Sequence, residues 1–317
     1  MNTTERNTRL VRELAEKYGF LHCSIAKAEP LDREAERLEK WLKEQRHGTM
    51  DYMERHFDLR IDPTKLVPGA KSVVVLAFNY YHPELPQTTG SPKVSMYAYG
   101  RDYHKVIRKR VKHLLTELRN EVGELQGRGF VDSAPVMEKA WAERSGMGWI
   151  GKHTNLINKR SGSWFFLATL ITDLELDPDP PFRTDHCGSC TRYIDACPTD
   201  ALEPFQIDAT KCISYLTIEL KESIPDAFSG RMDGWAFGCD ICQQVCPWND
   251  RAIPHAEPDL MPKEWTNMAP QDWEEITQEV FDDLFAGSAI RRTGYEGLKR
   301  NLSFLRKKSP QAGGSDA

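Results

Sequence analysis

With 317 residues and 40% hydrophobic side chains, the chain can bury a substantial core and is long enough for two domains. Its longest apolar stretch, residues 164–171, is too short to span a bilayer, and the polar start Met1-Asn2-Thr3-Thr4-Glu5-Arg6 does not read as a signal peptide, so a cytoplasmic monomer with no membrane partner is expected. A formal net charge of −5 argues against wholesale non-specific nucleic-acid binding.

Leu10, Val11, Leu14, Ala15 and Tyr18 keep helical apolar spacing, and Gly19 sits where a C-terminal cap belongs, so the chain opens on an amphipathic helix. A strand through Cys23 follows, then a highly charged helix over residues 31–46. After a short helical turn and loop over 62–70, the β-branched run 72–78 predicts a buried strand. A long helix is expected over 102–125, a short strand over 129–132, and a helix starting near Pro135, because proline suits a first turn. Residues 164–169 predict another apolar strand. Helices alternating with strands imply a layered α/β domain over 1–176. The proline-rich run Asp177-Pro178-Asp179-Pro180-Pro181 marks its boundary.

Two features of this first part are candidates for chemistry. Gly146-Met147-Gly148-Trp149-Ile150-Gly151-Lys152 has the glycine spacing of a nucleotide-binding loop, but His153 stands where magnesium needs Ser or Thr, and helix rather than strand precedes it. The glycines are expected instead to let backbone approach a large flat ligand, with Lys152 and His153 as polar contacts. Asp132 ends a strand, where α/β domains form ligand crevices, and a partly buried carboxyl there can hold a proton near neutral pH. Its alternative is an ordinary cap ahead of Pro135.

The cysteines carry the strongest signal. Cys187-x2-Cys190-x6-Cys197-Pro198 and Cys239-x2-Cys242-x3-Cys246-Pro247, with Cys212 between, follow the two-cluster ferredoxin pattern C-x2-C-x2-C-x3-C-P, in which each fourth cysteine ligates the other cluster. Crossover assigns Cys197, Cys212, Cys239 and Cys242 to one complete 4Fe-4S cluster. The other has Cys187, Cys190 and Cys246, with Tyr193 in place of a cysteine. That site is three-iron, or takes water or phenolate at one iron, or is missing. A zinc ribbon from the two C-x2-C pairs would leave Cys197, Cys212, Cys246 and both Cys-Pro endings unexplained. A disulfide framework suits neither the length nor the absence of a secretory signal. Cys23 reads as a small buried hydrophobe. The C-terminal part is locally basic, with Arg291, Arg292, Lys299, Arg300, Arg306, Lys307 and Lys308 against Glu296 and Asp316.

Four motifs, covering nearly the whole chain in order, together resemble the epoxyqueuosine reductase family. They are Tyr97-Ala98-Tyr99-Gly100-Arg101-Asp102-Tyr103-His104, Val131-Asp132-Ser133-Ala134-Pro135-Val136-Met137-Glu138-Lys139, Gly148-Trp149-Ile150-Gly151-Lys152-His153-Thr154-Asn155, and the segment Gly238 to Asn249. The family is cobalamin-dependent, contains iron-sulfur clusters and is related to reductive dehalogenases. The resemblance implies removal of the epoxide oxygen from epoxyqueuosine at the wobble position of tRNAs for Asp, Asn, His and Tyr, the last step of queuosine biosynthesis.

It further implies an α/β (α+β), nitroreductase-like cobalamin domain over 1–176, a ferredoxin-like two-cluster domain over 177–252 and a helical, basic C-terminal segment over 253–317. Base-off cobalamin is expected beside Tyr97, Tyr99 and the glycine loop, with Arg60, Lys152, His153, Asn155 and Leu156 as neighbours. Asp132 matches the proton donor. Electrons would pass from a flavodoxin or ferredoxin through the distal and then the proximal cluster to cobalt. Longer relatives add helical repeats that hold tRNA, so Arg291, Arg292, Lys299 and Arg300 are expected to contact the anticodon stem here. The rival readings are a plain two-cluster electron carrier and a reductive dehalogenase, whose usual export signal and tyrosine acid are absent.

Overall fold

The computed structural model describes residues 2–83 and 88–307. Asn2 caps helix α1 (Thr3–Lys17) reciprocally: its side chain accepts the Glu5 N–H at 2.8 Å while the Glu5 carboxylate accepts the Asn2 N–H at 3.1 Å. Gly19, at φ +79°, turns the chain out of the helix toward strand β1 (His22–Lys27). Helix α2 (Asp32–Lys43) is shorter than its charged sequence suggests, and the short helices α3 (Phe57–Ile61) and α4 (Pro63–Leu66) lead into β2 (Ser72–Asn79). Strand β3 (Lys93–Val94) precedes α5 (Tyr103–Val122), which Asp102 caps by accepting the His104 N–H at 3.0 Å. Then come β4 (Gly127–Phe130), α6 (Glu138–Arg144), the hairpin of β5 (Trp149–Ile150) and β6 (Leu156–Ile157), and β7 (Phe165–Thr172).

The strand order is β1-β2-β7-β4, antiparallel at every pairing. Layers are present as expected, but the crevice rule for parallel sheets has no purchase here. Period-two alternation explains the layering. Along β2, Val74, Leu76 and Phe78 enter one core with α1 and α5, while Val73, Val75 and Ala77 enter a second with Ala140, Trp141 and Ala142 of α6. Both faces of the sheet are therefore covered, and β2 is apolar throughout rather than alternating. Helix α6 starts at Glu138, not near Pro135, because residues 132–137 form a loop that opens with Asp132 at φ +56°.

The proline-rich run is strapped to the sheet rather than hanging free. Asp179 accepts from Arg12 Nη2 at both carboxylate oxygens, at 2.8 and 2.9 Å, and accepts the Ile25 N–H at 2.9 Å. The cysteine region follows with α7 (Arg192–Ala196), the hairpin β8 (Leu202–Glu203) and β9 (Gln206–Ile207), α8 (Ile213–Ile218), β10 (Trp235–Phe237) and α9 (Ile241–Gln244). Strand β10 pairs in parallel with β3. The buried Asp240 carboxylate accepts the Ser95 hydroxyl and, at 2.7 Å, the Met96 N–H, so the second C-x2-C turn is fastened to the first part of the chain. Helices α10 (Pro270–Glu274), α11 (Gln278–Leu284) and α12 (Gly294–Leu305) complete the chain. Trp265, Trp273, Phe281, Phe285 and Leu298 from this last part enter the same core as α1 and α5, so it is built into the fold rather than appended to it.

Candidate active site and cluster centres

Two cavities share a wall. The larger, about 940 Å³, is lined by Arg60, Tyr103, His104, Asp132, Glu138, Arg291 and Arg292 among others; the smaller, about 440 Å³, is lined by Cys197, Cys212, Cys239, Cys242, His153 and Asn155 among others. Tyr97, Lys139, Ile218 and Glu219 border both. The carboxylate thus lines one cavity and the four thiols line its neighbour.

At the carboxylate end the sequence builds a rigid mount. Tyr103 lies at the start of α5, its ring stacked on Phe166 of β7 at 4.0 Å and 5°, and His104 stacks on Tyr103 at 4.1 Å. The Tyr103 hydroxyl donates to Asp132 Oδ2, and His104 Nε2 lies 3.3 Å from the same oxygen. His104 Nδ1 is 2.8 Å from Asp102. The imidazole is held between two carboxylates. Burial pulls its pKa down, but hydrogen bonds to Asp102 and Asp132 outweigh this and lift it to about 9. Enclosure by the cavity pushes the Asp132 carboxyl up, yet the bonds from His104 and Tyr103 hold it below its ordinary value, although 62% of the side chain stays open to the cavity. At neutral pH the proton of this group therefore rests on His104, not on Asp132 as burial alone would suggest. Burial also lifts the Tyr103 hydroxyl far above its usual range, so it stays a donor.

Glu138 faces Asp132 from the other side. Its Oε1 accepts the Asp132 N–H at 3.0 Å, and burial, then the Asp132 charge, raises its carboxyl to about 7. Lys139 donates to the Thr154 carbonyl at 3.0 Å and to Asn155 Oδ1 at 3.3 Å. Both residues, like Tyr103 and His104, lie in the motifs that carry the family resemblance, but the sequence assigns none of the four a role. The signal was Asp102 at the cap of α5, which puts the next two side chains at the head of the helix.

The thiol end divides into two unequal sites. The charges of Cys212 and Cys197 bear on Cys242, and those of Cys242 and Cys212 on Cys239, as crossover ligation would group them. Burial, then the neighbouring thiols, pushes Cys242 up to about 12. Buried thiols that oppose one another's ionisation make poor company without a cation, and bound iron supplies that charge. Backbone N–H groups of Ser214 and Tyr215 bond Cys212 and that of Ile241 bonds Cys239, while Asn155 Nδ2 lies 3.7 Å from the Cys242 sulfur. Such bonds tune cluster potential. The donor set fits a 4Fe-4S cluster.

At the second site Cys187 and Cys190 bear on Cys246 and on Tyr193, again the crossover grouping. The space they enclose, with His153, Ile157 and Trp248, is only about 70 Å³. Tyr193 is 4% exposed, its hydroxyl has no partner, and its ring stands perpendicular to His153 at 6.4 Å. Three thiols and a buried phenol do not fit a complete four-iron cluster.

The other expected contacts separate. Tyr97, His153, Asn155 and Arg60 line the joined cavities, and His153 Nε2 and Arg60 Nε are buried without partners, which suits a polar ligand there. Tyr99 instead packs edge-on to Trp265 in the core, Leu156 is buried in the second core, and Lys152 donates to the Gly188 carbonyl beside the Tyr193 site. Two glycines of the run answer to the chain itself: a Cβ at Gly148 would stand 2.1 Å from the Ile157 carbonyl oxygen and one at Gly146 2.3 Å from that of Pro180, so both admit the chain's own backbone. Arg291 and Arg292 reach the large cavity, Arg292 pairing with Glu219 at 2.9 Å. Lys299 donates to the Glu274 carbonyl, and Arg300 to the carbonyls of Leu216, Leu220 and Glu222, so the fold uses both. Arg306 and Lys307 pair with Glu274 and Asp226; Lys308 and Asp316 lie outside the described residues.

A carboxylate mount in a cavity next to that of a cluster site points to an iron-sulfur oxidoreductase, and comparison supports that class. Residues 186–249 match a family model described as a 4Fe-4S double cluster binding domain, and residues 60–133 match one described as Epoxyqueuosine reductase QueG, DUF1730. The chain is 54% identical to the epoxyqueuosine reductase of Cellulophaga algicola over 96% of this chain and all of that one, and 53% identical to that of Cyclobacterium marinum over 98% and all. The chain belongs to the epoxyqueuosine reductase family.

A solved epoxyqueuosine reductase holding a tRNA-Tyr epoxyqueuosine-modified stem loop superposes with a TM-score of 0.84 at 28% identity, covering 95% of this chain and 80% of that one. The Bacillus subtilis enzyme, with its catalytic aspartate loop swung out of the active site, gives 0.83 at 28%, over 95% and 81%. A catabolic reductive dehalogenase shares the fold at a TM-score of 0.52 and 17% identity, over 95% of this chain and 38% of that one. No helix among the described residues is long and apolar enough to cross a membrane.

Proposed function

We propose that this chain reduces epoxyqueuosine to queuosine at the wobble position of tRNA for Asp, Asn, His and Tyr. One observation carries the reading: the cavity that holds Asp132 and its proton store adjoins the one lined by the four cluster thiols, with Tyr97, Lys139, Ile218 and Glu219 in the wall of both. Converting an epoxide to an alkene breaks two carbon–oxygen bonds, consumes two electrons and two protons, and releases water. An acid must therefore meet the oxygen while electrons arrive at the carbon side.

Asp132 is the acid that touches the oxygen, and it is recharged from His104, whose bonds to two carboxylates keep it protonated at neutral pH. Tyr103 holds the carboxylate at one oxygen and leaves the other for substrate. Tyr97, Arg60, His153 and Asn155 are the residues that would hold base-off cobalamin, which when bound supplies the low-potential redox chemistry no side chain possesses. Cys197, Cys212, Cys239 and Cys242 would hold the 4Fe-4S cluster that feeds it. Arg291 and Arg292, at the rim of the large cavity, face the anticodon stem, and a flavodoxin or ferredoxin in the cytoplasm supplies electrons to the monomer.

The test is direct. Anaerobically purified protein, given cobalamin, a low-potential reductant and an epoxyqueuosine-modified stem loop, should yield queuosine by mass analysis of nucleosides. Brown protein that binds cobalamin and leaves the epoxide intact would overturn the assignment.

A further inference from the structure

Asp132 sits in an improbable place for a group whose oxygen must be aimed. Its φ of +56° lies in the left-handed region, which L residues other than Asn and Asp seldom enter and which neighbours must hold. The loop it opens has few fastenings: Ser133 N–H to the Val131 carbonyl at 2.6 Å, Val136 N–H to the Ala134 carbonyl at 2.8 Å, and the Arg108 guanidinium on the Ser133 hydroxyl. Tyr103 and His104 grip the Asp132 side chain. Its backbone is held by the turn in which the Ser133 N–H reaches the Val131 carbonyl, and by the bond from the Asp132 N–H to Glu138 Oε1 at 3.0 Å, which ties the loop to a helix. Glu138 is itself anchored, because it begins α6, whose Ala140, Trp141 and Ala142 are buried in the second core.

We propose that Glu138 is the latch of the Asp132 loop: a positioning residue whose carboxyl oxygen accepts the Asp132 N–H and so keeps the acid turned into the cavity. This rests on the reading of Asp132 as the acid. Glu138 Oε1 accepts the backbone N–H of the residue it holds, so the carboxyl acts here through Asp132. The charged and titratable groups around it are Asp132 on the loop, Arg60 on α3, Lys139 on its own helix, and His104 and Asp102 on α5 beyond Asp132. Its raised carboxyl, at about 7, agrees with a group enclosed beside a carboxylate and does not weaken the latch, because a protonated carboxyl keeps an acceptor oxygen.

The full chain, loaded with cluster and cobalamin, tests this with Glu138→Ala and Glu138→Gln. Hydrogen exchange of the amides in residues 131–137 should quicken roughly tenfold in E138A while those of β7 stay unchanged. Turnover number on an epoxyqueuosine-modified stem loop should fall by up to about 100-fold with KM little altered, as misplacement of an acid by an ångström or so does. E138Q, whose amide oxygen can accept the same N–H, should retain most of both. Unchanged exchange and turnover in E138A would overturn the latch, as would an E138Q as impaired as E138A, or faster exchange throughout β7. If E138A frees the loop while Asp132→Asn turns over normally, the latch stands and the role given to Asp132 falls.

Discussion

The two cysteine sites grow from nearly the same motif and come to different ends. Cys197, Cys212, Cys239 and Cys242 surround part of a cavity of about 440 Å³ that adjoins the cavity of Asp132; Cys187, Cys190 and Cys246 surround about 70 Å³ with Tyr193 buried among them. Each site borrows a cysteine from the other's run, so both depend on the same packing of α7 against α9. What separates them is one side chain. A cysteine at 193 would present a small ligand atom, whereas tyrosine brings a ring and a hydroxyl that finds no partner. Close-packed interiors have no slack for that exchange.

The sharpest way to break the comparison is to disable each site in turn. Cys242→Ala should remove about four irons per chain and take turnover to background, while Cys190→Ala should cost fewer irons; equal losses by iron and sulfide analysis would erase the distinction. Next in size is Asp132→Asn, expected to lower turnover by about 10²- to 10⁴-fold with cobalamin absorbance and stem-loop binding intact. Tyr193→Cys should then raise iron content toward about eight per chain, and a native protein already holding about eight would refute the misfit.

A smaller effect is a matter of pH. His104, lifted to about 9, contributes pairing stability that is whole below its ordinary value of 6.5 and fades as pH rises through about 9. Asp132, held low, contributes stability that is present above its ordinary value of 3.8 and lost as pH falls through its depressed value. Turnover should lose its alkaline limb near pH 9, and His104→Gln should move that limb; an unmoved profile would place the proton elsewhere. Least of all, Arg292→Ala should weaken stem-loop binding and reduce its salt slope by about one, while Arg300→Ala, which strips three backbone carbonyls of their donor, should lower thermal stability without changing that slope.

Much of the frame was legible in the chain. β1, β2, α5 and β7 fall where apolar periodicity put them, because each buries the side chains that produce the pattern. The misreadings have a common cause. Gly146 and Gly148 were matched to a flat ligand, and what crowds them is the Pro180 and Ile157 backbone. Lys299 and Arg300 were counted as free cations, but carbonyls of α8, its following turn and α10 consume them. Tyr99 belonged to a cofactor motif and turned into the core. In each case the partner lies far away in sequence, and local pattern carries no information about it.

Sulfur spacing alone determined that the chain gathers iron, since a two-residue gap between thiols is a local constraint that needs no knowledge of the rest. Periodicity likewise determined which segments are strands. Only the packed chain decided that the sheet is antiparallel, that His104 keeps the proton while Asp132 lies ionised beside it, and that Glu138 grips the loop. Those outcomes depend on burial and on charges brought within a few ångströms of one another from distant parts of the chain, and both exist only after folding.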